Sequence, residues 1–197
     1  MTSTQTEYLI MKKALLALAC VAAMGLANIG HAAILTFDMP ALIDIDNNTG
    51  VATYQEGGFV LSAQAPTFLT LDGVGTGGSG GLFVLANNPL TLMAAGGGLF
   101  SLLGLDFGLN DPNAAGVLDI QGLAADTSVL SEMLTLAALQ NFSFQGWGNL
   151  QQVSFSATAD LVLDNINAVP EPGSAALTLA ALSGLMLVRR RNAAKAS

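Results

Sequence analysis

Asp44-Ile45-Asp46-Asn47-Asn48-Thr49-Gly50-Val51-Ala52-Thr53-Tyr54-Gln55-Glu56-Gly57-Gly58-Phe59-Val60-Leu61-Ser62-Ala63 is the stretch on which the fold class turns. Two β-prone runs, Val51 to Tyr54 and Gly58 to Ala63, follow a polar turn, Asp44 to Gly50, which separates them from an earlier run at Ile34 to Phe37. Branched and aromatic side chains suit a pleated, half-buried surface, whereas Asp, Asn and Gly bond locally or tolerate positive φ and so favour turns. The punctuation continues outward. Leu82 to Leu85 and Leu90 to Met93 bracket Asn87-Asn88-Pro89, and Leu99 to Phe107 follows Gly96-Gly97-Gly98. Val117 to Leu123, Val129 to Ala137, Phe142 to Phe144, Val153 to Ser156 and Leu161 to Ile166 complete the series. Many short strands at close spacing predict a mainly β protein, an antiparallel sandwich. Val129 to Leu139 is ambiguous, because Leu130, Met133, Leu134 and Ala137 also fit a helical stripe. Gly73 to Gly81 reads as a long flexible loop whose ordering costs entropy. The phenylalanines and Trp147 fill the space between sheets.

Charge is distributed unevenly along the 197 residues. All Lys and Arg lie near the ends, at Lys12, Lys13, Arg189, Arg190, Arg191 and Lys195, while every acidic residue except Glu7 and Glu171 falls between 33 and 168. Nucleic acid is therefore not a partner, since phosphate neutralisation needs cations. The single Cys, Cys20, and the single His, His31, both precede residue 33. No disulfide framework, Ser-His-Asp triad, Cys nucleophile, Schiff base or His-ligated metal can then be built in the 33–168 segment. Carboxylates alone remain, and the chain is not expected to be an enzyme. The rival expectation is a secreted glycan hydrolase using two carboxylates about 5 to 10 Å apart in a cleft.

Calcium is the better use for carboxylates. Asp44-x-Asp46-x-Asn48 places oxygen ligands at alternate positions, as in half of an EF-hand loop, but Gly50 comes one residue late and Gln55 stands where the closing Glu would. The segment reads as a hairpin turn or as a calcium loop. A second set pairs Asp38, in the first strand, with Glu56 and with Asp164, in the last; its plainer alternative has Asp164-Asn165 capping a strand end and Asp38 facing water. Trp147, flanked by Gly146 and Gly148 in a loop, and Tyr54 are candidate sugar contacts.

At the N-terminus, Lys12 and Lys13 precede the apolar run Ala14 to Leu26 and the small residues of Gly30-His31-Ala32, the arrangement of a signal peptide over 1–32 starting at Met11 and cut after Ala32. Cys20 leaves a lipoprotein as the alternative. At the other end, Val169-Pro170-Glu171-Pro172-Gly173 should leave the folded domain as an extended, exposed segment, because its prolines remove donors and disfavour helix. Ser174 caps an uncharged run to Val188, followed by Arg189-Arg190-Arg191. The run spans only about 21 Å against a hydrocarbon core of about 30 Å. The terminal arginines nevertheless suit a membrane helix over 174–188 with a cytoplasmic anchor; the alternative is a terminal helix packed on the domain.

This tail, 169–197, resembles the PEP-CTERM sorting signal of Gram-negative bacteria, with Pro170-Glu171-Pro172 as the signature tripeptide. The resemblance implies an exosortase as processing partner, recognition roles for Pro170, Glu171 and Pro172, a transient inner-membrane anchor and export to the cell surface. The domain between, 33–168, carries Thr36-Phe37-Asp38, Tyr54-x-Glu56-Gly57-Gly58-Phe59, Gly97-Gly98-x-Phe100-Ser101-Leu102 and Leu163-Asp164-Asn165-Ile166. It resembles jelly-roll, carbohydrate-binding-module-like or galactose-binding-like sandwiches. That likeness implies a structural calcium between the first and last strands and a non-catalytic envelope or matrix protein binding exopolysaccharide. A permanent inner-membrane protein whose tail is never cut is the third expectation.

Overall fold

The computed structural model describes residues 32–38, 43–65, 68–111 and 113–171. The expected signal segment up to residue 31 and the tail from Pro172, including the helix over 174–188 and Arg189, Arg190 and Arg191, lie outside the described residues. Those described form thirteen strands: β1 (Ala33–Leu35), β2 (Asp44–Asp46), β3 (Val51–Glu56), β4 (Phe59–Gln64), β5 (Phe68–Leu71), β6 (Gly81–Val84), β7 (Leu90–Ala94), β8 (Phe100–Leu109), β9 (Gly116–Ala124), β10 (Val129–Leu136), β11 (Gln140–Ser143), β12 (Leu150–Ala157) and β13 (Leu161–Pro170). A short 3-10 turn, Thr76–Gly78, precedes β6.

Every pairing is antiparallel, and the strands fall into two layers. One runs β2-β3-β4-β7-β12-β9-β10; the other sets β11 and β13 on opposite edges of β8. The far edge of β13 is shared: its first residues pair with β6, which carries β5, and Ile166 to Ala168 pair with β1. Between the layers the only strand pairing among the described residues is Leu150 with Phe100. The layers are held instead by side chains. In β4, Phe59, Leu61 and Ala63 are buried while Val60, Ser62 and Gln64 face out, the period-two pattern of a sheet with one face on the core. Phe59 meets Phe100 of the other layer edge-on at 5.4 Å between ring centres. Leu82, Leu90, Leu92, Leu118, Ile120, Val153, Leu163 and Ile166 complete a core with no solvent exposure. Each such side chain contributes about 1.5 to 3 kcal/mol of burial.

Val129 to Leu136 is a strand, so the helical reading of that stretch gives way to pairing with β9 along its whole length. Asp44 to Asp46 is β2, and Asn47 to Gly50 is the hairpin turn that joins it to β3. The sheet also runs past the expected domain end at 168. Val169 and Pro170 pair with Ser101 and Phe100, and the Glu171 N–H donates to the Leu99 carbonyl at 2.8 Å. The Pro-Glu segment is thus extended, as expected, but paired and half-buried, because the missing N–H of Pro170 does not prevent pairing of its neighbours.

Candidate functional site

Of the carboxylates named from sequence, Asp38 and Asp164 are brought to one loop, Thr76 to Gly80, whereas Asp44 and Asp46 lie apart on the β2–β3 hairpin. β13 changes edge partner at Asp164-Asn165, where Asn165 takes φ +47° and the register with β8 shifts. Asp164 there faces Asp106 across the strand pair. The glycine-rich loop folds over the gap: the Thr76 N–H donates to Asp164 Oδ2 at 2.7 Å, Ser79 Oγ to the same oxygen at 3.0 Å, and Thr76 Oγ1 to Asp106 Oδ2 at 2.5 Å. Asn165 Nδ2 donates to both Asp106 and Asp164, Asn141 Nδ2 to Asp106 Oδ1 at 2.7 Å, and the Gly80 N–H to Asp38 Oδ1 at 2.8 Å. Gly75 is needed for this approach, since a Cβ there would lie 2.6 Å from Asp164 Oδ2 and closer still to the Gly80 carbonyl. The loop is therefore bound down, its ordering entropy offset by charge-assisted hydrogen bonds. Burial pushes the Asp106 carboxyl up, but the bonds from Thr76, Asn165 and Asn141 outweigh it and hold the group below the usual carboxylate range.

Glu56 is held elsewhere. It accepts from the Thr36 N–H at 3.1 Å, Thr36 Oγ1 at 3.3 Å, the Phe37 N–H at 3.2 Å and the Tyr54 hydroxyl at 2.6 Å. Burial, then the bond and charge of Glu56 with the charge of Asp38, push the Tyr54 phenol far above its ordinary range, so it stays a donor. In the hairpin, Asp46 accepts from the Asn48 N–H at 2.9 Å and from Thr49 Oγ1 at 2.8 Å, and these bonds lower its pKa. That is an Asx-type turn with Asp44, Asp46 and Asn48 on an exposed hairpin. Asp38, Glu56 and Asp164 each accept from different N–H or O–H donors, and among the described residues no group of three acidic, Cys or His side chains could hold a metal ion. Two acidic side chains do converge, Asp106 and Asp164, but they are 7% and 0% exposed and cannot reach a substrate.

Of the two expectations for Trp147, the packing role holds, and the sugar contacts at Trp147 and Tyr54 do not. Trp147 lies in a loop, as expected, but is only 8% exposed, and Tyr54 is 4% exposed. Trp147 packs 4.7 Å from the Phe144 ring, over Gly122, where a Cβ would meet the indole at 3.0 Å. Neither ring offers a face to a sugar; both take the packing role.

A different polar surface lies on the outer face of the seven-strand layer. Cα register links Thr53 to Ser62, Ser62 to Thr91, Thr91 to Ser154, Ser154 to Gln121 and Gln121 to Ser131. These side chains are half-buried or exposed, while their strand neighbours Ala52, Leu61, Leu92, Val153 and Ile120 point inward. Six neighbouring strands at about 4.8 Å spacing carry this row of hydroxyls and amides over roughly 24 Å. Beside it runs Ser156, Asp119 and Met133. Asp119 Oδ2 accepts from Gln121 Nε2 at 2.8 Å, whereas its buried Oδ1 has no donor among the described residues. In sequence these residues are only the polar half of each alternating strand; no signal in any one strand shows that they line up.

No protein-family model matches the chain, and no curated protein matches it. Solved structures similar to it include the C-terminal family 22 carbohydrate-binding module of Clostridium thermocellum Xyn10B, at 10% identity over 73% of this chain and 96% of that one, TM-score 0.42. A xylan-binding domain of family 22 is similar at 9% identity over 74% of this chain and 98% of that one, TM-score 0.40. A family 61 module solved with β-1,4-galactotriose is similar at 7% identity over 57% and 88%, TM-score 0.37.

Proposed function

We propose that this chain is an exported, exosortase-sorted envelope or matrix protein whose sandwich binds a neutral polysaccharide without chemistry, on the outer face of the seven-strand layer. The observation that carries the binding reading is the row Thr53, Ser62, Thr91, Ser154, Gln121 and Ser131 across six strands. Its hydroxyls and amides both donate and accept, as sugar hydroxyls do. The domain has no Lys or Arg, so a polyanionic glycan would be repelled and an uncharged one would not. The sorting part rests on Pro170-Glu171-Pro172, the apolar run and Arg189 to Arg191. Calcium has no part in this reading.

Affinity electrophoresis of the full chain through gels containing xylan or galactan tests the binding. Retardation should occur in at least one neutral glycan and weaken about tenfold in Thr91→Val/Ser154→Ala, each lost hydrogen bond contributing about 0.5 to 1.5 kcal/mol. Equal retardation of variant and wild type would move the site away from this face. Mass spectrometry of the extracellular fraction, finding a C-terminus near Pro170 to Pro172, tests the sorting.

A further inference from the structure

Pro170 and Glu171 belong to two arrangements at once: the end of β13 and the beginning of the sorting motif. As the end of β13, Val169 and Pro170 pair with Ser101 and Phe100, and the Glu171 N–H is spent on the Leu99 carbonyl at 2.8 Å. One oxygen of the Glu171 carboxylate is spent as well. Its Oε1 accepts from Ser101 Oγ at 2.8 Å and from the Asn149 N–H at 2.7 Å. Asn149 is presented by the loop between β11 and β12 with φ +55°, a conformation that asparagine tolerates better than most residues. The two donors come from segments far apart in sequence, so the carboxylate joins the last strand to both β8 and the entry to β12.

The geometry points to a latch: Leu99 O, Ser101 Oγ and the Asn149 N–H hold Glu171 against the domain, and a processing enzyme can read Pro170-Glu171-Pro172 only after that end of β13 is released. An enzyme that binds the motif in extended form competes for Glu171 Oε1 and the Glu171 N–H, which in the folded domain already have partners. The two uses exclude each other, so the fraction of released chain scales the apparent affinity of the enzyme for its substrate. The proposal rests on the sorting reading for its role in the cell, while the latch itself is a property of the domain alone.

Amide hydrogen exchange on the purified full chain decides the latch. Glu171 should be protected in the wild type, and Ser101→Ala, which keeps the motif intact, should speed its exchange about tenfold while leaving Ile120 in β9 unchanged. Exchange of wild-type Glu171 at the rate of an unstructured peptide would overturn it. As a second variant, Val169→Cys/Ser101→Cys in a Cys20→Ser background closes a cross-strand disulfide at a paired position. In an exporting host, pulse-chase should show faster processing of Ser101→Ala, no processing of the oxidised pair and recovery on reduction. Equal processing of oxidised and reduced forms would overturn the gate. If no form is processed, wild type included, the sorting reading fails while the exchange rates still decide the latch.

Discussion

The gap between β6 and β1 and the outer face of the seven-strand layer are built from the same residue types, Thr, Ser, amides and Asp, yet the first is closed by internal hydrogen bonds and the second is left open to solvent. At the gap, Asp164 and Asp106 accept from Thr76, Ser79, Asn165 and Asn141, and Asp164 is fully buried. On the outer face, Thr53, Ser62, Thr91, Ser154, Gln121 and Ser131 stand half-buried or exposed. Polar groups spent on the fold cannot recognise a ligand, and those left over by the fold can. A buried polar group without its partner costs about 1 to 3 kcal/mol, which is why the gap is saturated.

Asp164→Ala tests the contrast most severely. It strands the Thr76 N–H and the Asn165 amide, so unfolding free energy from denaturant melts should fall by about 3 kcal/mol, while glycan retardation of the folded fraction stays as in wild type. Loss of binding without loss of stability would reverse the roles of the two regions. Acid should act on the gap next. Because the Asp106 carboxyl is held below its ordinary 3.8, its contribution is complete above that pH and is lost as pH falls from there through the lowered native value. Asp106→Asn should flatten that acid limb in a pH series of thermal melts. Thr91→Val/Ser154→Ala is expected to move stability by no more than about 0.5 kcal/mol while weakening glycan retention. Calcium should do least: millimolar calcium or a chelator should leave the unfolding temperature where it was, and a rise with calcium would show native-state binding.

Local pattern carried most of the fold. Val51 to Tyr54 and Gly58 to Ala63 became β3 and β4, and the Asp44 to Gly50 turn formed its hairpin, because side-chain period and turn chemistry act within a few residues. The site was not legible by the same means. The row depends on the register of β12 with both β7 and β9, partners distant in the chain, and a one-residue slip would turn every hydroxyl inward. The packing role of Trp147 was legible in its residue type but its partner was not, because glycine neighbours signal a loop without showing that the loop folds back onto Gly122. The glycine run at 73–81 looked free because the aspartate that binds it down comes 85 to 88 residues later. Pro170 and Glu171 looked exposed because prolines argue against helix without saying whether β8 has an open edge.

The pairing of β1 with β13 sets an order of events during synthesis. Ala33, in the first strand made, meets Ala168, in the last, and Leu35 meets Ile166. A chain stopped before Leu161 lacks the strand that bridges β8, β6 and β1, so one whole layer has no centre. Closure thus waits for the far end, and such distant contacts make folding slow. A nascent chain cannot complete the β8-centred layer until Leu161–Pro170 has been made.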